Sequence, residues 1–98
     1  MTLRVVFRPA ARTEFDTAAL WYEERQPGLG ARFVAAIDHA VGLASAYPDR
    51  FPVVHGAVRR VQAQRFPYSV YFLSGSDRIV VIAVFHARRN PSVWKTRK

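Results

Sequence analysis

Ile79-Val80-Val81-Ile82-Ala83-Val84-Phe85 is apolar at every position. A half-buried strand alternates apolar and polar residues, so a run without a polar member predicts a strand covered on both faces at the centre of a sheet. Immediately before it, Ser74-Gly75-Ser76-Asp77 has the composition of a hairpin loop. The preceding stretch, Arg65 to Leu73, alternates: Phe66, Tyr68, Val70 and Phe72 share one face, and Arg65, Pro67, Ser69 and Tyr71 the other. That is the period of a second strand. Pro67 cannot donate to a ladder, which restricts it to an edge contact or the strand's first residues. After Phe85 the chain runs directly into His86-Ala87-Arg88-Arg89-Asn90-Pro91-Ser92-Val93-Trp94-Lys95. A buried core element thus continues into a charged terminus.

Working back toward the N terminus, Val58-Arg59-Arg60-Val61-Gln62 has strand character with little alternation. It reads as an edge strand whose charges discourage unwanted pairing. Pro48-Asp49-Arg50-Phe51-Pro52 reads as a loop with Phe51 as a core plug, continued by Val53 to Gly56. Phe33, Ile37, Ala40, Val41, Ala44 and Tyr47 form one helical stripe, with Asp38, His39, Gly42 and Ser45 opposite, and Pro48 ends that helix. Gln26-Pro27-Gly28-Leu29-Gly30 separates it from an earlier helix over about residues 9–25, where Ala11, Phe15, Ala18, Ala19 and Tyr22 recur at spacings of three and four. On that helix Leu20 falls opposite the Phe15 face and Trp21 at its flank, leaving apolar surface outside the core contact. Leu3, Val5 and Phe7 alternate with Arg4, Val6 and Arg8 as a first strand. The order β-α-α-β-β-β predicts one α+β domain over residues 1–98: an N-terminal strand, an antiparallel helical hairpin, and a mostly antiparallel three-strand meander completing one small sheet.

Length and composition limit what such a domain does. Ninety-eight residues, half of them hydrophobic, suffice for one packed core. With no cysteine, disulfides and thiolate metal sites are excluded. No apolar run reaches the ~18 residues of a membrane span, and the start lacks a signal-peptide core, so the expectation is a soluble, cytoplasmic protein. The formal net charge is +8. The first half is near neutral, while Arg88, Arg89, Lys95, Arg97 and Lys98 crowd the C-terminal end. That field attracts polyanions, either nucleic acid or an acidic protein.

Several chemistries lack their residues. The glycines are scattered, so there is no phosphate-cradling loop. His39, His55 and His86 stand on a helix face, a loop and a strand end without a second ligand at metal spacing, so no metal or other cofactor is implied. A nucleophilic triad needs a Ser with a nearby His and acid, and nothing in the sequence brings Ser69, His86 and Asp77 together. His86, Arg88 and Arg89 are suitable types for RNA cleavage, in which side chains move protons and arginines stabilise phosphate charge.

Taken together, Trp21-Tyr22 on an Ala-rich helix, Pro27-Gly28-Leu29-Gly30, Phe33, Pro48 with Phe51-Pro52, Arg59-Arg60, Arg65-Phe66-Pro67-Tyr68 with Tyr71, His86-Ala87-Arg88-Arg89-Asn90-Pro91 and Trp94 resemble the RelE/ParE toxin superfamily. The resemblance covers nearly the whole chain and is nearest the ParE-like, plasmid-stabilisation branch. It implies a type II toxin causing growth arrest, neutralised by an acidic or amphipathic ParD-like antitoxin, for which Leu20 and Trp21 form a helix patch. RelE-like members cleave mRNA in the ribosome, whereas ParE-like members poison DNA gyrase. Where the ribonuclease branch has an arginine after the third-strand tyrosine, an arginine at the end of the fourth strand, and a C-terminal tyrosine or histidine, this chain has Ser69, Arg88 and Trp94. The indole of Trp94 cannot act as a base. The expectation is therefore a toxin that binds its target, DNA gyrase. Arg59, Arg60, Arg65, Arg88, Arg89, Trp94 and Lys95 are the candidate contacts to target or antitoxin. A ribosome-dependent endoribonuclease using His86 and Arg88 is the alternative, and a non-toxic basic binding module or decayed toxin is a third.

Overall fold

The computed structural model describes residues 2–97. β1 (Arg4–Phe7) leads into α1 (Pro9–Arg25) and α2 (Leu29–Ala46), then a single 3-10 turn at Pro48–Arg50. β2 (Val53–His55), β3 (Val58–Gln62), β4 (Tyr68–Ser74) and β5 (Arg78–His86) follow, with a one-turn helix α3 (Ser92–Lys95) at the end. One mixed sheet has the order β1-β5-β4-β3-β2, in which β5 pairs parallel to β1 and antiparallel to β4. The domain is α+β with β5 inside the sheet, as its unbroken apolar run predicts.

Proline at the start of α1 presets the helical φ where no amide partner is needed. The turn to α2 is closed by Glu23, whose carboxylate accepts the Gly28 and Gly30 N–H groups at 3.0–3.1 Å and so takes the place of an N-cap side chain. Gly28 has φ +89°, a conformation that favours glycine. At Gly30 a Cβ would lie 2.7 Å from the Ala19 carbonyl oxygen and 2.9 Å from the Glu23 Cβ, so its hydrogen lets the two helices approach.

Both helices bury their stripes on one sheet face. Ala11, Phe15 and Ala18 of α1 and Phe33, Ile37, Ala40, Val41 and Ala44 of α2 meet Val61, Val70, Phe72, Ile79, Val81 and Val84. The other face carries a second cluster of Val58, Ile82, Ala83, Phe85 and Trp94, flanked by Tyr71. A register shift in the β4–β5 ladder sets this division: Tyr71 pairs with Ala83 but Phe72 with Val81. Ile82 is the extra residue, so two successive side chains of β5, Ile82 and Ala83, serve the second face. Seven apolar residues in a row are needed because both faces are covered.

Four sequence expectations are corrected. Val53–His55 is a strand, not loop, and it pairs with β3, so Val58–Gln62 is an interior strand and the sheet edge moves to β2. The Arg59 side chain is accordingly not an edge guard: its Nη1 donates to the Phe51 carbonyl at 2.7 Å and its Nη2 lies 3.8 Å from Asp49. Ser45 is fully buried rather than on the exposed face. Its Oγ donates to the Leu3 carbonyl and its carbonyl accepts the Leu3 N–H, which ties the end of α2 to the start of the chain. Tyr47, assigned to the apolar stripe, is 46% exposed beneath the Arg50 guanidinium, because the helix ends one residue before it.

Candidate functional site

β1 stops at Phe7, after which Arg8 N–H donates once more to Val81 and the chain turns into α1. The remaining length of β5 therefore has an open edge, and two side chains fill it. Glu14 of α1 accepts the Val84 N–H at 3.1 Å, and Arg97 donates to the Ile82 carbonyl at 3.0 Å. The two also bond each other in a fork: Arg97 Nη1 to Glu14 Oε1 at 3.0 Å and Nη2 to Oε2 at 2.9 Å. A planar ion pair thus replaces a missing strand. It also draws the C-terminal segment across the sheet, where α3 sets Trp94 against Tyr71 with ring centroids 4.2 Å apart.

Beside this pair lies an open groove of about 570 Å³ between α1 and the end of β5. Glu14, Trp21 and Tyr22 line it from α1, Tyr68 from β4, and His86 and Arg89 from the end of β5 and beyond. Tyr68 stands edge-on to His86 at 5.2 Å and to Tyr22 at 6.2 Å. Arg89 covers the Phe85 ring at 4.2 Å and reaches Glu14 at 3.4 Å, with its side chain half exposed. Burial raises the Tyr22 phenol above its ordinary value. Burial and then Tyr22 raise Tyr68 likewise, against an opposing effect of Arg89. Both phenols are therefore neutral donors at physiological pH. The Arg88 N–H donates to His86 Nδ1 at 3.0 Å.

A second groove, of about 740 Å³, opens on the other side of Tyr22, between α2 and the β3–β4 loop. Ala35, Ala36 and Phe66 give it an apolar floor, and Arg32, His39 and Arg65 are its basic members. Arg65 has φ +69°, a conformation uncommon outside glycine, in the turn closed by Ala63 N–H to the Tyr68 carbonyl.

The structure distributes the residues singled out from sequence unevenly. Leu20 and Trp21 are 61% and 49% exposed. His86, Arg89 and Trp21 share the first groove, and Arg65 lines the second. Arg60, Arg88 and Lys95 are exposed outside both. Trp94 is corrected: at 2% exposure it belongs to the second core, with its Nε1 buried and unpartnered, and is no surface contact. Arg97, counted as part of a free basic tail, is an internal tie instead. Glu14 and Tyr22 were missed as site residues. No local spacing marks Glu14, whose partner lies 83 residues away, while Tyr22 sits on the core stripe and looks like any packed aromatic.

No helix among the described residues is long and apolar enough to cross a membrane, and none of their acidic and histidine side chains cluster in threes to hold a metal ion. Residues 5–91 match the family described as "ParE toxin of type II toxin-antitoxin system, parDE", and the chain belongs to that family. Among solved structures, a chain of the chromosomal ParDE TA system from P. aeruginosa is similar, with a TM-score of 0.74 and 17% identity over 87% of this chain and 96% of that one. At that identity the likeness is one of fold. No curated protein matches.

Proposed function

We propose that this toxin acts in the cytoplasm by binding its target rather than by cutting RNA, that the target is DNA gyrase, and that a ParD-like antitoxin, acidic or amphipathic, neutralises it. One observation carries the reading: the carboxylate and the imidazole near the strand end are already engaged as hydrogen-bond acceptors. Glu14 accepts from Val84, Arg89 and Arg97. His86 Nδ1 accepts from Arg88. Burial raises the phenols of Tyr22 and Tyr68, which disfavours a phenolate base at either. A general base works best with its acceptor open to the proton that it takes, and Glu14 and His86 Nδ1 each already accept from a neighbour. Ser69 and the buried Trp94, standing where the ribonuclease branch has an arginine and a proton-transfer residue, support the same conclusion. What remains is charge and shape: exposed Arg60, Arg88 and Lys95 for an anionic or protein target, and Leu20 with Trp21 for the antitoxin.

The test is DNA supercoiling by purified gyrase with increasing toxin. Loss of supercoiling, accompanied by protein-linked double-strand breaks, is the expected result. Undisturbed supercoiling at excess toxin refutes the choice of target. The alternative, mRNA cleavage by His86 and Arg88, is supported by the shared groove of His86 and Arg89. It requires cut transcripts in a translating extract.

A further inference from the structure

The second groove differs from the first in its charges. Glu14 stands in the first and holds Arg89 at 3.4 Å, whereas no carboxylate lines the second. Arg32 on α2 and Arg65 on the β3–β4 loop line it from its two walls, and neither makes an ion pair with any described residue. Arg32, Ala36 and His39 follow at spacings of four and three, so they share one helix face, and the methyl group of Ala36 leaves the space between two polar turns open. From the loop side Phe66 lines the groove half-buried, at 75° to Tyr22 and 82° to Phe33. Neither ring lies parallel on it, so a flat ring can stack there. Arg65 adds an independent observation. Its φ of +69° is strained for any residue with a Cβ, and glycine would adopt it freely. A long side chain at a strained position, exposed and without an ion-pair partner among the described residues, points to a ligand outside the chain.

We propose that this groove is a site for a mononucleotide, with the base on Phe66, its edge or the ribose toward Gln64 and His39, and the phosphate between Arg32 and Arg65. Two guanidinium groups match the two charges of a phosphate monoester, and their planar forks suit its oxygens. Gln64 and His39, both exposed in the groove lining, carry the donors and acceptors that a base edge or a ribose needs. An acyl anion would use the charges, but its chain calls for an enclosing apolar wall, which an open groove with an amide and an imidazole does not give. A nucleic acid strand calls for cations along the whole path, whereas the exposed Arg60 and Arg88 lie outside this groove. The site stands on the opposite side of Tyr22 from His86 and Arg89, and its chemistry is independent of what the toxin inhibits.

The experiment titrates AMP into the full chain and follows backbone amides by NMR, which gives both the affinity and the place of binding. Shifts are expected around Arg32, Ala36, Arg65 and Phe66, with a Kd at or below about 1 mM for a ligand of this size. Adenosine and ribose 5-phosphate should each bind at least about tenfold more weakly, since one lacks the charged contacts and the other the stacked base. Arg65→Gly should weaken AMP about tenfold or more while keeping or raising Tm, because glycine relieves the left-handed backbone; lost binding is then not lost folding. Ala36→Leu, which fills the space between Arg32 and His39 with a good helix former, should weaken AMP to a similar degree. Arg78→Gln, an equal charge change at the start of β5, should alter it less than about twofold, since distant charges are screened. Absence of shifts at millimolar AMP, shifts centred elsewhere, or binding indifferent to Arg65→Gly and Ala36→Leu overturns the proposal. Adenosine or inorganic phosphate binding as tightly as AMP overturns it too, because the base and the phosphate would then not be held together. Tighter binding of decanoate overturns it in favour of an acyl site. A short single-stranded oligonucleotide that binds far more tightly and spreads the shifts to Arg60 and Arg88 overturns it in favour of a strand. Each result is read without gyrase, so failure of the site and failure of the proposed target are told apart.

Discussion

Replacing Glu14 by Gln removes one negative charge from the place where α1, β5 and the C-terminal segment meet. The amide oxygen can still accept the Val84 N–H, but the amide nitrogen then faces the Arg97 guanidinium, donor against donor. Both side chains are largely buried, at 11% and 20% exposure, so solvent screens the pair only in part. A charged hydrogen bond contributes ~1.5–3 kcal/mol, and Arg97 recovers some of its loss by swinging into water, which leaves a net cost of about 2 kcal/mol. For a domain of this size that corresponds to a fall in Tm of roughly 8–16 °C. Thermal unfolding by circular dichroism measures it. The half-exposed Arg89 contact at 3.4 Å gives the contrast, with Arg89→Ala costing less than about 0.5 kcal/mol. A cycle of Glu14→Gln with Arg97→Gln should show a coupling of about 1–2 kcal/mol. A loss below about 0.5 kcal/mol for Glu14→Gln, or no coupling, would refute the idea that this pair closes the open edge of β5.

Gly30→Ala forces a methyl group into the Ala19 carbonyl oxygen, which belongs to backbone and cannot yield cheaply, so chemical denaturation should show a loss of about 1–3 kcal/mol. Trp94→Ala empties the second core and should cost about 3 kcal/mol while releasing the C-terminal segment to proteolysis; unchanged stability would mean that the segment does not dock. Stability should be level up to about pH 10 and decline beyond it. The phenols of Tyr22 and Tyr68 are raised in the folded state, so the unfolded chain loses its protons first and gains from rising pH. Tyr22→Phe/Tyr68→Phe should flatten that decline, as read from denaturation midpoints between pH 8 and pH 11.

Hydrophobic pattern revealed what hydrophobic pattern controls. The apolar run at Ile79–Phe85 announced a strand covered on both faces, and the stripes from Ala11 to Tyr22 and from Phe33 to Ala44 announced the hairpin that covers one of them. What covers the other face was hidden. Trp94 stands among basic residues in a terminus that looks solvated, and only the register shift at Ile82 and the fork between Glu14 and Arg97 bring it inside. Val53–His55 was unreadable for a related reason: three residues show no period, and pairing with β3 makes them a strand. The functional surface divided in the same way. Leu20 and Trp21 stood out because they broke a helical stripe, whereas Tyr22 obeyed the stripe and still ended as the ridge between two grooves. A side chain that satisfies a core pattern gives no local sign that its edge faces solvent.

Binding without catalysis is tested most directly by His86→Gln. Glutamine keeps polar groups at the end of β5 but has no imidazole to exchange a proton. Titrated into a gyrase supercoiling reaction, purified His86→Gln and wild-type toxin should inhibit at concentrations within about twofold of each other, as expected for a residue outside any chemical step. Gyrase untouched by either protein, with transcripts cut in a translating extract by wild type and left whole by His86→Gln, would contradict it.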